Sequence, residues 1–221
     1  GLFFNFQKDY AKAAEAFAEA AALDVSRPAD ERLLKETFYF WYGAAEERLG
    51  NIEKAEGLFQ RCIELNPDYS EAYNYIAYMW AERGEKLDHS LAMVNKALEI
   101  NPDSGAYIDT LGWIYYMQGD YEKAYAEIER AVSHIPNDPT INEHLGDVRQ
   151  KLGDEAGAIE AWKKSLGEDR ENEKLIEKLH RAQVDVKAYL ESLDEAGQEQ
   201  QEEPPPQPET PESTNSVPTE E

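Results

Sequence analysis

Glycine recurs along this chain at a nearly fixed interval, and that interval constrains the fold more than any other feature. Gly50, Gly84, Gly119 and Gly153 each separate two stretches of helical pattern. Around Gly119, the preceding stretch carries Ile108, Leu111, Gly112 and Tyr115 on one face, and the following stretch carries Tyr121, Ala124, Ile128 and Ala131. Steps of three and four keep one side of a helix apolar. The small residues Gly112, Ala124 and Ala131 lie inside those faces and let two helix axes approach closely, so the unit reads as a tight antiparallel pair. Pro136 ends the second helix, because proline lacks an N–H and clashes with the preceding turn.

The other positions recur in step with the glycines. Gly43, Ala77, Gly112 and Gly146 hold a small position in each first helix. Ala55, Ser90, Ala124 and Ala158 hold a small position in each second helix, and Phe59, Val94, Ile128 and Trp162 hold a large apolar position four residues later. Pro67, Pro102 and Pro136 close their units. The period breaks twice: one extra residue follows Gly84, and Arg170 stands where a closing proline would fall. At these residues the chain resembles a tetratricopeptide repeat, a helix–turn–helix unit with a period of 34 residues. The resemblance covers residues 1–170. It implies an all-α fold, a right-handed superhelical solenoid of antiparallel helix pairs.

The array divides into a partial first repeat over 1–28 and repeats at about 36–69, 70–104, 105–138 and 139–170. Residues 1–24 read as the second half of a broken repeat, with Tyr10, Ala13, Phe17 and Ala20 facing inward and Phe3, Phe4 and Phe6 left partly exposed. The chain opens on Gly1 rather than methionine, and its first residues match the end of a helix; this predicts a piece of a longer protein. Pro28 marks a break in the period. The next first helix is expected to start near Ala29, capped by Asp30, and to run to Leu49. The PDS and PND turns before residues 105 and 139 are of the kind that start a helix with an oxygen cap. Residues 171–196 read as one capping helix, with Leu175, Leu179, Ala182, Val186, Tyr189 and Leu193 on one face. A repeat array needs such a cover for its last exposed core; a short coiled-coil contact at the far end is the alternative. From Gly197 to Glu221 the chain is acidic, rich in proline and free of Lys and Arg. Such a segment cannot offset its ordering entropy by burial and is expected to be a disordered tail.

The net charge of −24 argues against nucleic acid, since phosphate contacts need a basic surface. It equally disfavours adhesion to anionic lipid. No apolar run spans a bilayer, so direct membrane insertion is not expected; the reading is a soluble region, cytoplasmic or periplasmic. The lone Cys62 reads as a packed thiol. His89, His134, His144 and His180 read as surface or interface residues, with no second ligand at metal spacing. No phosphate-binding glycine loop, nucleophile elbow or zinc-protease motif occurs. No cofactor, metal or catalysis is therefore expected.

In the family that the chain resembles, the first helices line a concave groove. Carried over position by position, that groove places Phe40, Asn74, Tyr78, Asp109, Trp113, Tyr116, Met117, Glu143 and Asp147 toward a ligand. The resemblance implies a protein-interaction scaffold. The expected partner is a protein or peptide with apolar or aromatic anchors and basic flanks. The Lys/Arg/Asn cluster that holds a terminal carboxylate in chaperone-binding relatives is lacking, with only Asn74 matching. The competing reading is that Tyr78 and Trp113 are simply core. Two other functions stand beside the scaffold: an accessory region of a larger enzyme, or a structural part of a cell-envelope assembly.

Overall fold

The computed structural model describes residues 2, 5, 7–27 and 33–202, with side chains as far as 195. Eleven helices and no strand occur among them. They are α1 (Tyr10–Val25), α2 (Glu36–Arg48), α3 (Ile52–Leu65), α4 (Ser70–Glu82), α5 (Leu87–Ile100), α6 (Gly105–Gln118), α7 (Tyr121–His134), α8 (Pro139–Lys151), α9 (Glu155–Glu168), α10 (Glu173–Arg181) and α11 (Val186–Glu202). Helices pair in sequence as α2/α3, α4/α5, α6/α7 and α8/α9, and each pair packs on the next. Every element thus buries its apolar face against near neighbours in the chain.

The recurring glycines close the turns. Gly50, Gly84, Gly119 and Gly153 all sit at positive φ, between 65° and 84°, where a Cβ would be strained. In each turn the next residue donates its N–H five residues back, as Asp120 does to Tyr115 O and Asp154 to Arg149 O. These bonds satisfy carbonyls that a helix end leaves open. Asp120, Asp138 and Asp154 then cap α7, α8 and α9 by accepting backbone N–H bonds. Ser104, by contrast, sits at the start of α6 without a side-chain cap bond.

The other small positions are set by packing rather than by φ. A Cβ on Gly43 would lie 2.8 Å from the Phe59 ring, and one on Gly112 would lie 2.5 Å from Ile128 Cγ1. One on Gly146 would overlap the Trp162 ring. Each repeat seats the large residue of its second helix over the small residue of its first. Where the small residue is Ala77, the large one shrinks to Val94, and both are fully buried.

Three expectations need correction. The helix expected from Ala29 starts only at Glu36: Leu33 and Leu34 donate their N–H groups to the buried Asp24 carboxylate and lie outside any helix, and Lys35 is extended. Residues 28–32, including Ala29 and the Asp30 cap, lie outside the described residues, as do Phe3, Phe4 and Phe6. The single capping helix is two helices: Gln183 takes φ 59°, and Val184 N donates to Leu179 O. That turn repeats the hydrogen-bond pattern of the glycine turns, so α10 and α11 form a further, shortened helix pair. Finally, α11 runs on to Glu202, past the expected boundary at Gly197; residues 203–221 lie outside the described residues.

The pair α10/α11 covers the end of the array as expected of a cap. Leu175, Leu179 and Val186 bury against Trp162 and Leu166, and Trp162 is 1% exposed. Cys62 is fully buried; burial, then Glu36 and Glu71, push its thiol up to about 12. Among the described residues no helix is long and apolar enough to cross a membrane, and no cluster could hold a metal ion.

Candidate interaction groove

The first helices α4, α6 and α8 stand side by side, because α6 touches both α4 and α8. Their inward positions follow the repeat, so side chains 34 or 35 residues apart fall in rows. One row holds Phe40, Asn74, Asp109 and Glu143; the next holds Tyr78, Trp113 and Asp147. Two open cavities follow these rows. The larger, about 710 Å³, is lined by Tyr78, Glu82, Trp113, Thr140, Glu143, His144, Asp147 and residues of α10 including Lys178. The smaller, about 230 Å³, is lined by Asn74, Tyr75, Tyr78, Ala106, Asp109, Thr110, Asp138, Thr140 and Ile141. Tyr78 borders both.

Aromatic rings form the wall. The Trp113 indole stacks on Tyr116 at 4.5 Å and on His144 at 4.0 Å, with interplanar angles of 7° and 12°. Tyr78, Trp113 and Tyr116 are each half-buried. Burial, followed by Asp147 and Tyr121, lifts the Tyr116 phenol to about 12. Burial, with Glu82 and Asp109, lifts Tyr78 further. Both rings therefore stay neutral and present faces and hydroxyls. Two polar atoms in this wall, Trp113 Nε1 and Asn74 Oδ1, are enclosed without a hydrogen-bond partner, and a buried polar atom left so is costly.

The acids placed in the groove by repeat position are paired within the protein. Asp109 is 4% exposed and both its oxygens lie 3.0 Å from His144 Nδ1. His144, read as a surface or interface residue, is thus a buried partner between α6 and α8. Glu143 and Asp147 are each 2.7 Å from Lys178 Nζ, and Asn172 also donates to Glu143. Asp147 further accepts from Trp162 Nε1 at 3.0 Å. Glu82 is exposed at the groove edge, hydrogen-bonded by Tyr78 and within electrostatic reach of His144. Phe40 is also displaced from the expected set: it is 6% exposed and packs among Phe59, Tyr69 and Tyr75, with centroids 5.1–5.8 Å away. Ring packing between α2, α3 and α4 draws it into the core. Met117 is half-buried and lies toward the turn at Gly84, where a Cβ would sit 3.2 Å from its Cε.

Sequence reasoning missed His144, Lys178 and Asn172. A signal existed. Asp109 to His144 and Glu143 to Lys178 span 35 residues each, so α10 repeats the position of α8. Read as the first helix of another repeat, it places Lys178 on Glu143 as His144 sits on Asp109. The two acid–base contacts tie three consecutive first helices together along the groove floor.

Two family models, both described as tetratricopeptide repeat, match residues 36–79 and 106–138. The chain is a tetratricopeptide-repeat protein. It is similar to a TPR repeat-containing protein of Pseudomonas aeruginosa, 30% identical over 101 residues, which are 46% of this chain and 17% of that one. It is also similar to the human mitochondrial import receptor subunit TOM70, 27% identical over 95 residues, 43% of this chain and 16% of the receptor subunit. The tetratricopeptide chain thus spans about a sixth of the length of these relatives. Among solved structures, a thermophilic TPR protein of Thermus thermophilus superposes with a TM-score of 0.67 at 17% identity, covering 82% of this chain and 94% of that one. That likeness fixes the superhelical tetratricopeptide fold; tetratricopeptide repeats serve generally as protein-interaction scaffolds.

Proposed function

We propose that the groove formed by α4, α6 and α8 holds a segment of a partner protein, without catalysis. Apolar or aromatic side chains of that segment pack on Tyr78 and Trp113, and a basic flank lies toward Glu82. The observation that carries this reading is the half-buried pair Tyr78 and Trp113 lining a cavity of about 710 Å³. Aromatic anchors in desolvated pockets supply most of the energy of many interfaces. Because Asp109, Glu143 and Asp147 are already paired, the preference for basic flanks rests on Glu82 and on the overall acidic charge. It therefore acts more on the association rate than on affinity.

The test is a titration of a peptide library that varies aromatic and basic positions. The best ligands are expected to combine both. Trp113→Ala is expected to weaken them by about 2 kcal/mol or more. Glu82→Gln is expected to slow association and reduce its salt dependence. A library whose best members are acidic, or unchanged binding in Trp113→Ala, contradicts this assignment.

A further inference from the structure

We infer that the Asp109–His144 pair is a proton-operated element under the groove wall, which couples pH to the charge of the groove and to the placement of Trp113. The geometry supplies each link. Asp109 lies on α6 and His144 on α8, both nearly sealed from solvent at 4% and 5% exposed. The imidazole is held by both carboxylate oxygens at 3.0 Å and stacks at 4.0 Å on Trp113. The same imidazole lines the larger cavity, so a proton gained or lost there is felt by whatever occupies the groove.

The surroundings set the sign. Burial alone lowers the affinity of His144 for its proton, but the Asp109 carboxylate outweighs it through charge and hydrogen bonding, with Glu82 and Asp147 adding to the effect. His144 therefore holds its proton above the 6.5 of a free imidazole. From α4 the groups that face this region are Tyr78 and Glu82. From α6 they are Asp109 and the Tyr116–Trp113 stack. From α8 itself come Glu143 and Asp147; α10 supplies Lys178, which neutralises part of their charge, together with Glu173 and Lys174, and Glu171 lies just before it. A raised imidazole contributes stability that is fully present below its unfolded value and lost as pH rises through its folded value. With the proton on, the pair is neutral overall. With it off, one negative charge remains on Asp109 beneath the groove.

Resting on the groove reading above, this predicts that basic partners bind more tightly as pH rises through the His144 transition. By linkage, a bound basic partner must lower the proton affinity of His144 by the same factor. The experiment is an NMR titration from about pH 5 to about pH 9. It follows the His144 ring proton, assigned with His144→Gln, and the Trp113 indole N–H, assigned with Trp113→Phe. In the free protein His144 is expected to titrate above 6.5, with the Trp113 resonance shifting at the same midpoint. Asp109→Asn is expected to move that midpoint down, and His144→Gln to remove the Trp113 transition while the protein stays folded. A midpoint at or below 6.5, or a Trp113 resonance that ignores the transition, overturns the inference. A second arm repeats the titration with an N-acetylated, histidine-free peptide of alternating Trp and Arg. Its affinity is expected to rise roughly fivefold or more across the transition. If that peptide fails to bind at any pH, the groove reading fails while the first arm still decides the proton coupling. If it binds with the same affinity at every pH, the coupling to binding is refuted.

Discussion

Replacing Trp162 with alanine probes the joint between the repeat array and its terminal helix pair. The indole is 1% exposed and packs with Leu166, Leu175, Leu179 and Val186. It rests directly over Gly146, and its N–H donates to Asp147 at 3.0 Å. Removing a large buried aromatic costs about 3–5 kcal/mol. The lost hydrogen bond contributes about 1 kcal/mol of this, since Asp147 keeps Lys178 as a partner. We expect a loss of about 4 kcal/mol. With a urea dependence of about 2 kcal/mol per molar, the unfolding midpoint falls by about 2 M. Trp162→Phe retains most of the buried ring and should lose only about 1 kcal/mol. The assay is urea unfolding followed by circular dichroism, with amide exchange to locate the effect. Because each repeat leans on its neighbours, exchange in α10 should quicken before that in α4. A midpoint shift worth less than about 1 kcal/mol, or an effect spread evenly over the array, would refute this account of the joint.

Other outcomes follow from the same packing. Gly146→Ala, whose Cβ would overlap the Trp162 ring, should destabilise by about 1–3 kcal/mol. Gly57→Ala, exposed in α3 with open space around it, should stabilise by about 0.5–1 kcal/mol; equal effects in thermal melts would discount the close-approach argument. Cys62, buried and with its thiol pushed up to about 12, should resist a thiol reagent until the protein unfolds, and rapid labelling of the native protein would show otherwise. Lys178→Met should cost about 1–2 kcal/mol by leaving Glu143 and Asp147 facing each other. The loss should shrink as salt is added, and a salt-independent loss would point to packing instead.

The repeat was legible because its signals are local. A glycine at positive φ, a small residue under a large one and an aspartate cap are each read from a few neighbouring positions. The break near Gln183 was not legible, because a glutamine at φ 59° carries none of the glycine signature, and the apolar spacing of 171–195 runs through it unbroken. The start of α2 was missed because Asp24 holds Leu33 and Leu34 from outside the segment. In the groove, Tyr78 and Trp113 were found from repeat position alone. Phe40 occupies the same row as Asn74 and Asp109, yet the rings of Phe59, Tyr69 and Tyr75 pull it into the core, and row position carries no such information. The pairing of the acids was missed because their partners lie a full repeat away. Only the matching 35-residue separations of Asp109–His144 and Glu143–Lys178 announce those pairs.

The central claim is that the first-helix face around Tyr78 and Trp113 is the binding surface. The most direct measurement is a hydrogen-exchange footprint of the protein with and without the tightest peptide from the library. The account predicts slowed exchange in α4, α6 and α8, loss of that protection in Trp113→Ala, and no change in α5, α7 and α9. Protection concentrated on α5, α7 and α9, or unaltered by Trp113→Ala, would place the partner on the opposite face and contradict it.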